Sequence, residues 1–147
     1  MSPHPDFHDF LEALNKNRVE FVLVGAYALA FHGHPRATGD MDVWVKPTAE
    51  NARRVLAALR DFGFSSLALK EGDFLSGKVI QLGHPPVRID ILSALDGVSP
   101  EHIWTHRRPG ALGDIPVSFL SREDLIATKR AVGRHQDLAD VESLEQK

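Results

Sequence analysis

The sequence predicts an α+β domain, and three observations lead there. Short runs of β-branched and apolar residues alternate with longer segments whose apolar positions recur at helical spacing. Glycine and proline punctuate most of the junctions between them. No internal repeat, low-complexity tract or linker interrupts the 147 residues, so 1–147 reads as one domain of ordinary size.

Hydrophobic residues make up 43% of the chain and charged residues 25%, a composition that favours a packed core over disorder. A formal charge of −3 gives no overall attraction to nucleic acid, so any polynucleotide partner has to be met by local basic clusters. The absence of cysteine excludes disulfides and thiolate metal sites. The N-terminal stretch MSPHPDFHDF lacks the pattern of a signal peptide, and no apolar run approaches the ~20 residues that span a bilayer. A cytoplasmic protein is the expectation.

The elements follow in order. Asp6 is placed to cap a first helix carrying Phe7, Phe10, Leu11 and Leu14 inward. Val19–Val24 is apolar throughout, as in a strand covered on both faces, and Gly25 ends it. Ala26–Phe31 suits a short helix stopping at Gly33 or Pro35. Asp40–Val45 alternates, with Met41, Val43 and Val45 on one face and Asp40, Asp42 and Trp44 on the other. Pro47 and Thr48 open a helix with Ala52, Val55, Leu56 and Leu59 inward, and Gly63 stops it. Lys78–Leu82 and Val87–Leu92 are strands joined by a turn at Gly83-His84-Pro85-Pro86. A helical turn at Pro100–Trp104 leads to a loop through Arg107, Arg108, Pro109 and Gly110. Ile115–Leu120 is a last strand in which Pro116 demands an edge or a strand start. Ser121 and Asp124 cap a helix running to Val132, Gly133 breaks it, and Gln136–Leu144 forms the final helix.

The chemistry concentrates on carboxylates. Asp40 and Asp42, at i and i+2 on one strand face, repel each other unless a divalent cation stands between them. The pair is therefore either solvated surface or a metal clamp. Upstream, Gly25 lets backbone approach a phosphate closely, and the helix that follows offers free N–H groups. Downstream, Asp90 is the single acid of Val-Arg-Ile-Asp-Ile-Leu. A strand placing Asp90 beside Asp40 and Asp42 would complete a cluster able to hold two metals for an in-line displacement. Otherwise Asp90 is one half of an ion pair. Lys129 shares a helix face with Leu125 and Ile126, where it either contacts phosphate or extends past them to solvent.

The order strand, Gly25-Ala26, helix, Asp40-Met41-Asp42-Val43 and later Asp90 resembles the nucleotidyltransferase superfamily that includes DNA polymerase β. Val24-Gly25-Ala26-Tyr27-Ala28, His32-Gly33 and Arg36-Ala37-Thr38-Gly39-Asp40 look like the minimal nucleotidyltransferases related to AbiEii-type toxins. Lys129 followed by Asp137-Leu138-Ala139-Asp140 fits that subset too. The resemblance covers about residues 18–145. It implies a mixed central sheet flanked by helices and transfer of a nucleoside monophosphate from an NTP such as ATP to an acceptor hydroxyl. Asp40, Asp42 and Asp90 would bind Mg²⁺ or Mn²⁺, while Gly25, Ala26, Arg36, Thr38 and Lys129 would bind the nucleotide. Asp40, Asp42, Asp90 and Lys129 would form the catalytic set. The implied acceptor is a tRNA, a protein side chain or a small molecule, and the implied setting includes a toxin–antitoxin pair with an antitoxin or partner subunit.

The superfamily usually has Gly-Ser or Gly-Gly where this chain has Gly25-Ala26, so one hydroxyl contact to phosphate is missing. The alternative is accordingly a module of the same fold that binds a nucleotide or partner without turnover. Arg36 serves equally as a partner for Asp40, and Asp137 and Asp140 either orient Lys129 or Arg134 or lie on a helix surface. His102 and His106 have the i, i+4 spacing of a helical metal site but no third ligand at a diagnostic interval, so they read as ordinary polar residues. Arg53, Arg54, Arg60, Arg107 and Arg108 are candidates for a basic rim, Arg53 and Arg54 fitting a solvated helix face as well.

Overall fold

The computed structural model describes residues 4–35, 39–63, 68–84 and 87–146. Arg36 and Thr38 lie outside them, as does the Pro85-Pro86 step of the expected turn. The element order is α1 (Pro5–Lys16), β1 (Phe21–Val24), α2 (Gly25–Phe31), β2 (Asp40–Val45), α3 (Ala49–Phe62), a 3₁₀ turn (Glu71–Phe74), β3 (Ile80–His84), β4 (Val87–Leu92), α4 (Pro100–Thr105), β5 (Arg108–Leu112), β6 (Ile115–Phe119), α5 (Arg122–Val132) and α6 (His135–Glu145). Among the described residues no helix is long and apolar enough to cross a membrane.

The strands form one mixed sheet in the order β3-β4-β2-β1-β6-β5. The hairpins β3/β4 and β5/β6 are antiparallel, as is β1/β2, whereas β2/β4 and β1/β6 run parallel. Strand alternation then sorts the core into two layers. Met41, Val43, Val45, Ile89 and Ile91 meet α1 and α3 on one face, against Phe10, Leu14, Val55 and Leu59. Val22, Val24 and Trp44 face the other way, onto Leu29, Ile103, Leu125, Val141 and Leu144 of the remaining helices. Asp40 and Asp42 share the parity of Trp44 and so stand on this second face.

Helix ends follow local chemistry. The Thr48 hydroxyl accepts the Asn51 N–H at the start of α3, and Gly63 closes it in the left-handed conformation. The Ser121 hydroxyl accepts the Asp124 N–H to open α5. In α1 the cap is His4 rather than Asp6: Pro5, which lacks an N–H, takes the first helical position, and His4 Nδ1 accepts the Asp6 N–H at 3.1 Å.

Two further expectations are corrected. The strand expected at Lys78–Leu82 runs from Ile80 to His84, because the β3/β4 ladder continues through Gly83↔Arg88 and His84↔Val87 and absorbs half of the expected turn. The segment Arg108–Gly110, expected as loop, is the start of β5. β5 is an edge strand with Arg108 and Pro109 exposed, so it lacks the apolar alternation of a buried strand. Its ladder with β6 is set by the two-residue turn Gly113-Asp114, Gly113 having φ +62°. Pro116 sits at the start of β6, before that strand reaches β1 at Leu23↔Phe119, where no second ladder needs its N–H.

Candidate active site

The parallel β2/β4 register aligns Asp42 with Asp90 and Asp40 with Arg88. Antiparallel β1 sets Val24 opposite Asp42, so Gly25, the next residue, borders the same carboxylate. Gly25 has φ +62°, and a Cβ built on it would lie 2.2 Å from Asp42 Oδ2. Both the backbone conformation and the space demand glycine.

Gly25, Asp42, Asp90, Lys129 and Asp137 line one cavity of about 340 Å³. Its walls are mainly apolar: Val79, Leu92, Leu95, Leu120, Leu125 and Val132. Burial pushes the Asp42 carboxyl up, from 3.8 to about 6, and the neighbouring Asp90 and Asp40 charges add to the effect. A hydrogen bond with Asp90 raises it further, and Arg88 opposes the rise. Removing the proton at neutral pH leaves the acids mutually repelling in a partly enclosed space.

Arg88 moderates that repulsion. Its Nη2 lies 3.1 Å from Asp40 Oδ2 and its Nε 3.2 Å from Asp90 Oδ1, so one guanidinium bridges the outer two acids. The Nε contact is an ion pair by distance but lacks hydrogen-bond alignment, which leaves Asp90 Oδ1 buried without a hydrogen bond. The three acids therefore meet as a close Asp42/Asp90 pair and an Asp40 joined to Asp90 through arginine. The donor set suits a divalent cation: all-oxygen, more than one carboxylate, and one buried acceptor lacking a donor.

Lys129 Nζ is 2.7 Å from Asp140 Oδ2 and 3.8 Å from Asp137 Oδ1. Asp137 also takes Arg134 Nε at 2.7 Å, which holds its carboxyl below the usual range. Lys129 thus neither reaches past Leu125 and Ile126 to open solvent nor sits away from the cavity. Asp137 and Asp140 are buried partners of Lys129 rather than surface acids.

No family model matches the sequence, and no curated protein matches it. Solved structures do. The lincosamide antibiotic adenylyltransferase LnuA, bound to lincomycin, superposes with a TM-score of 0.60 at 15% identity, over 99% of this chain and 98% of that one. The fold is that of the nucleotidyltransferases. The antibiotic-resistance factor ANT(2'')-Ia gives a TM-score of 0.54 at 13% identity over 95% of this chain and 80% of that one. The Thermotoga maritima protein TM1012 also gives 0.54, at 17% identity over 95% of this chain and 88% of that one.

Of the expected site residues, the nucleotidyltransferase fold brings Gly25, Asp42, Asp90 and Lys129 to one cavity and ties Asp40 to it through Arg88. Ala26 stands in the first turn of α2 and does not line the cavity. Arg88 is the residue that sequence reasoning left without a role. Its alternation with Asp90 already placed it on the acidic face, and only the strand register showed that it opposes Asp40.

Proposed function

We propose that this chain transfers a nucleoside monophosphate from an NTP to an acceptor hydroxyl and releases pyrophosphate. The observation that carries the reading is the Asp42/Asp90 pair facing Gly25 and Lys129 across one cavity. The acceptor oxygen bonds to the α-phosphorus as the bond to the bridging oxygen of pyrophosphate breaks. Its proton leaves to the Asp90 carboxylate. Lys129 neutralises charge on the phosphates, and the Gly25 backbone allows their close approach. A divalent cation such as Mg²⁺ or Mn²⁺, held by Asp42 and Asp90 with Asp40 beyond Arg88, would supply further charge neutralisation at the α-phosphate.

Seven apolar side chains in the cavity wall, Val24 among them, favour a small hydroxylated acceptor with apolar surface over a polynucleotide. The net charge of −3 favours it as well. One structural neighbour is a lincosamide antibiotic adenylyltransferase with lincomycin bound, and another is an antibiotic-resistance factor. A tRNA or protein acceptor, and a toxin–antitoxin setting, rest on sequence resemblance alone.

The test is incubation with each labelled NTP and Mg²⁺ in the presence of hydroxylated antibiotics, total RNA or lysate protein, with Asp42→Asn in parallel. Label on a small molecule with wild type alone is the expected result. Transfer that persists in the variant would overturn the carboxylate assignment. Ala26 favours the second reading, a nucleotide-binding module of the same fold. Calorimetric binding of NTP and Mg²⁺ with no transfer to any acceptor would establish it.

A further inference from the structure

A second group of ligating side chains lies outside the cavity. His102 lies in α4 and His106 one turn on, at its C-terminal cap, while Asp124 stands in the first turn of α5. One ligand atom from each lies within 4.8 Å of the other two. His102 Nδ1 is 2.8 Å from Asp124 Oδ1, and the two imidazoles stack at 3.9 Å between centroids. The His106 Nδ1–H donates to the His102 carbonyl at 3.0 Å, so Nε2 is the ring nitrogen left to ligate a metal. Asp124 is 2% exposed, and its Oδ2 is buried without a hydrogen-bond partner. That orphaned oxygen is costly in a metal-free protein and useful in a metal site.

We infer that His102, His106 and Asp124 form a binding site for a transition-metal cation of the zinc class, separate from the carboxylate site. Two neutral imidazoles and one carboxylate are a borderline-soft donor set, suited to Zn²⁺ and poorly suited to Mg²⁺. Zinc ligands at about 2.0–2.2 Å from the ion stand roughly 3.3 Å from one another, so a modest inward rotation of the exposed imidazoles closes the set. The site joins α4 to the first turn of α5, the helix that carries Leu125, Thr128 and Lys129 into the cavity wall. Metal binding there fixes α5 against α4 and stabilises the folded chain.

The test needs no nucleotide, so it stands or falls apart from the proposed transfer. Chelator-treated full chain is titrated with ZnCl₂ by calorimetry and thermal melting, with MgCl₂ in parallel and Co²⁺ absorption as a report of geometry. The expected result is one Zn²⁺ per chain, a raised Tm and a tetrahedral-type Co²⁺ spectrum. His106→Gln, an exposed change that leaves the core untouched, and Asp124→Asn should each weaken binding at least about tenfold. His8→Gln serves as the control, since half-buried His8 with exposed Asp9 and Glu12 forms a cluster of its own. Zinc binding unchanged in both His106→Gln and Asp124→Asn, binding abolished by His8→Gln, or no stoichiometric binding would each overturn the assignment.

Discussion

At the scale of single residues, Gly25 and Asp42 constrain each other. Gly25→Ala forces a methyl into the position of Asp42 Oδ2 while holding alanine at φ +62°. A left-handed alanine alone costs about 1–2 kcal/mol. The variant is expected to lose that stability in denaturant titrations and to lose transfer activity almost entirely, because the carboxylate has to move. Asp42 sets the pH response. Its folded value of about 6 exceeds the unfolded 3.8, so between those limits the native state holds a proton that the unfolded chain releases. Stability therefore falls as pH rises from about 4 to about 6, and the cost is complete above that, at most about 3 kcal/mol. Asp42→Asn should raise Tm at pH 7.5 without Mg²⁺, and adding Mg²⁺ should narrow the gap by stabilising only the wild type. Proton and cation compete for the same oxygens, so Mg²⁺ affinity should fall below pH 6, approaching tenfold per pH unit in calorimetric titrations. Asp40, Asp42 and Asp90 were legible as a set because acids on otherwise apolar strands stand out. Arg88 was not, since its role depends on which residue lies opposite in the neighbouring strand.

Among the elements, the junction of β1, β2 and α3 rests on Asn51. This fully buried residue accepts the Glu20 N–H at 2.7 Å and donates to the Glu20 and Lys46 carbonyls at 2.9 Å. Asn51→Ala removes three hydrogen bonds and takes the acceptor from the Glu20 N–H, while the Glu20 and Lys46 carbonyls keep the Lys46 and Thr48 N–H groups; at ~1 kcal/mol per bond lost it should destabilise the fold by roughly 2–3 kcal/mol. An equilibrium urea titration checks this, and a loss below 1 kcal/mol would contradict the bridging role. The sequence showed the helix around Asn51 through Thr48 and Gly63 but gave no sign of the bridge, because a polar residue in a first turn is ordinary. β5 was illegible for a related reason. Edge strands need no buried face, and the Gly113-Asp114 turn that specifies the hairpin lay in a stretch without alternation. The two-layer sorting of β2 and β4, by contrast, was fully written in their alternation.

Across the whole molecule, stability and the site are coupled through α5 and α6. Lys129→Met removes the cation 2.7 Å from the buried Asp140 carboxylate. Breaking such a pair by deleting one partner typically costs 3–5 kcal/mol, less here because Gln136 also bonds Asp140 at 3.1 Å. The variant should show a lowered Tm and lose transfer activity. Lys129→Met combined with Asp140→Asn should recover much of the Tm but none of the activity, which would separate support from chemistry. The parallel pairing of β2 with β4 has one more consequence. Asp42 and Asp90 meet only after the chain has travelled through α3 and the β3 hairpin, so a nascent polypeptide carries the first carboxylate long before it can present the second. On the proposed reading, capture of a divalent cation would come late in biosynthesis, and fragments ending before Asp90 should fold, if at all, indifferent to magnesium.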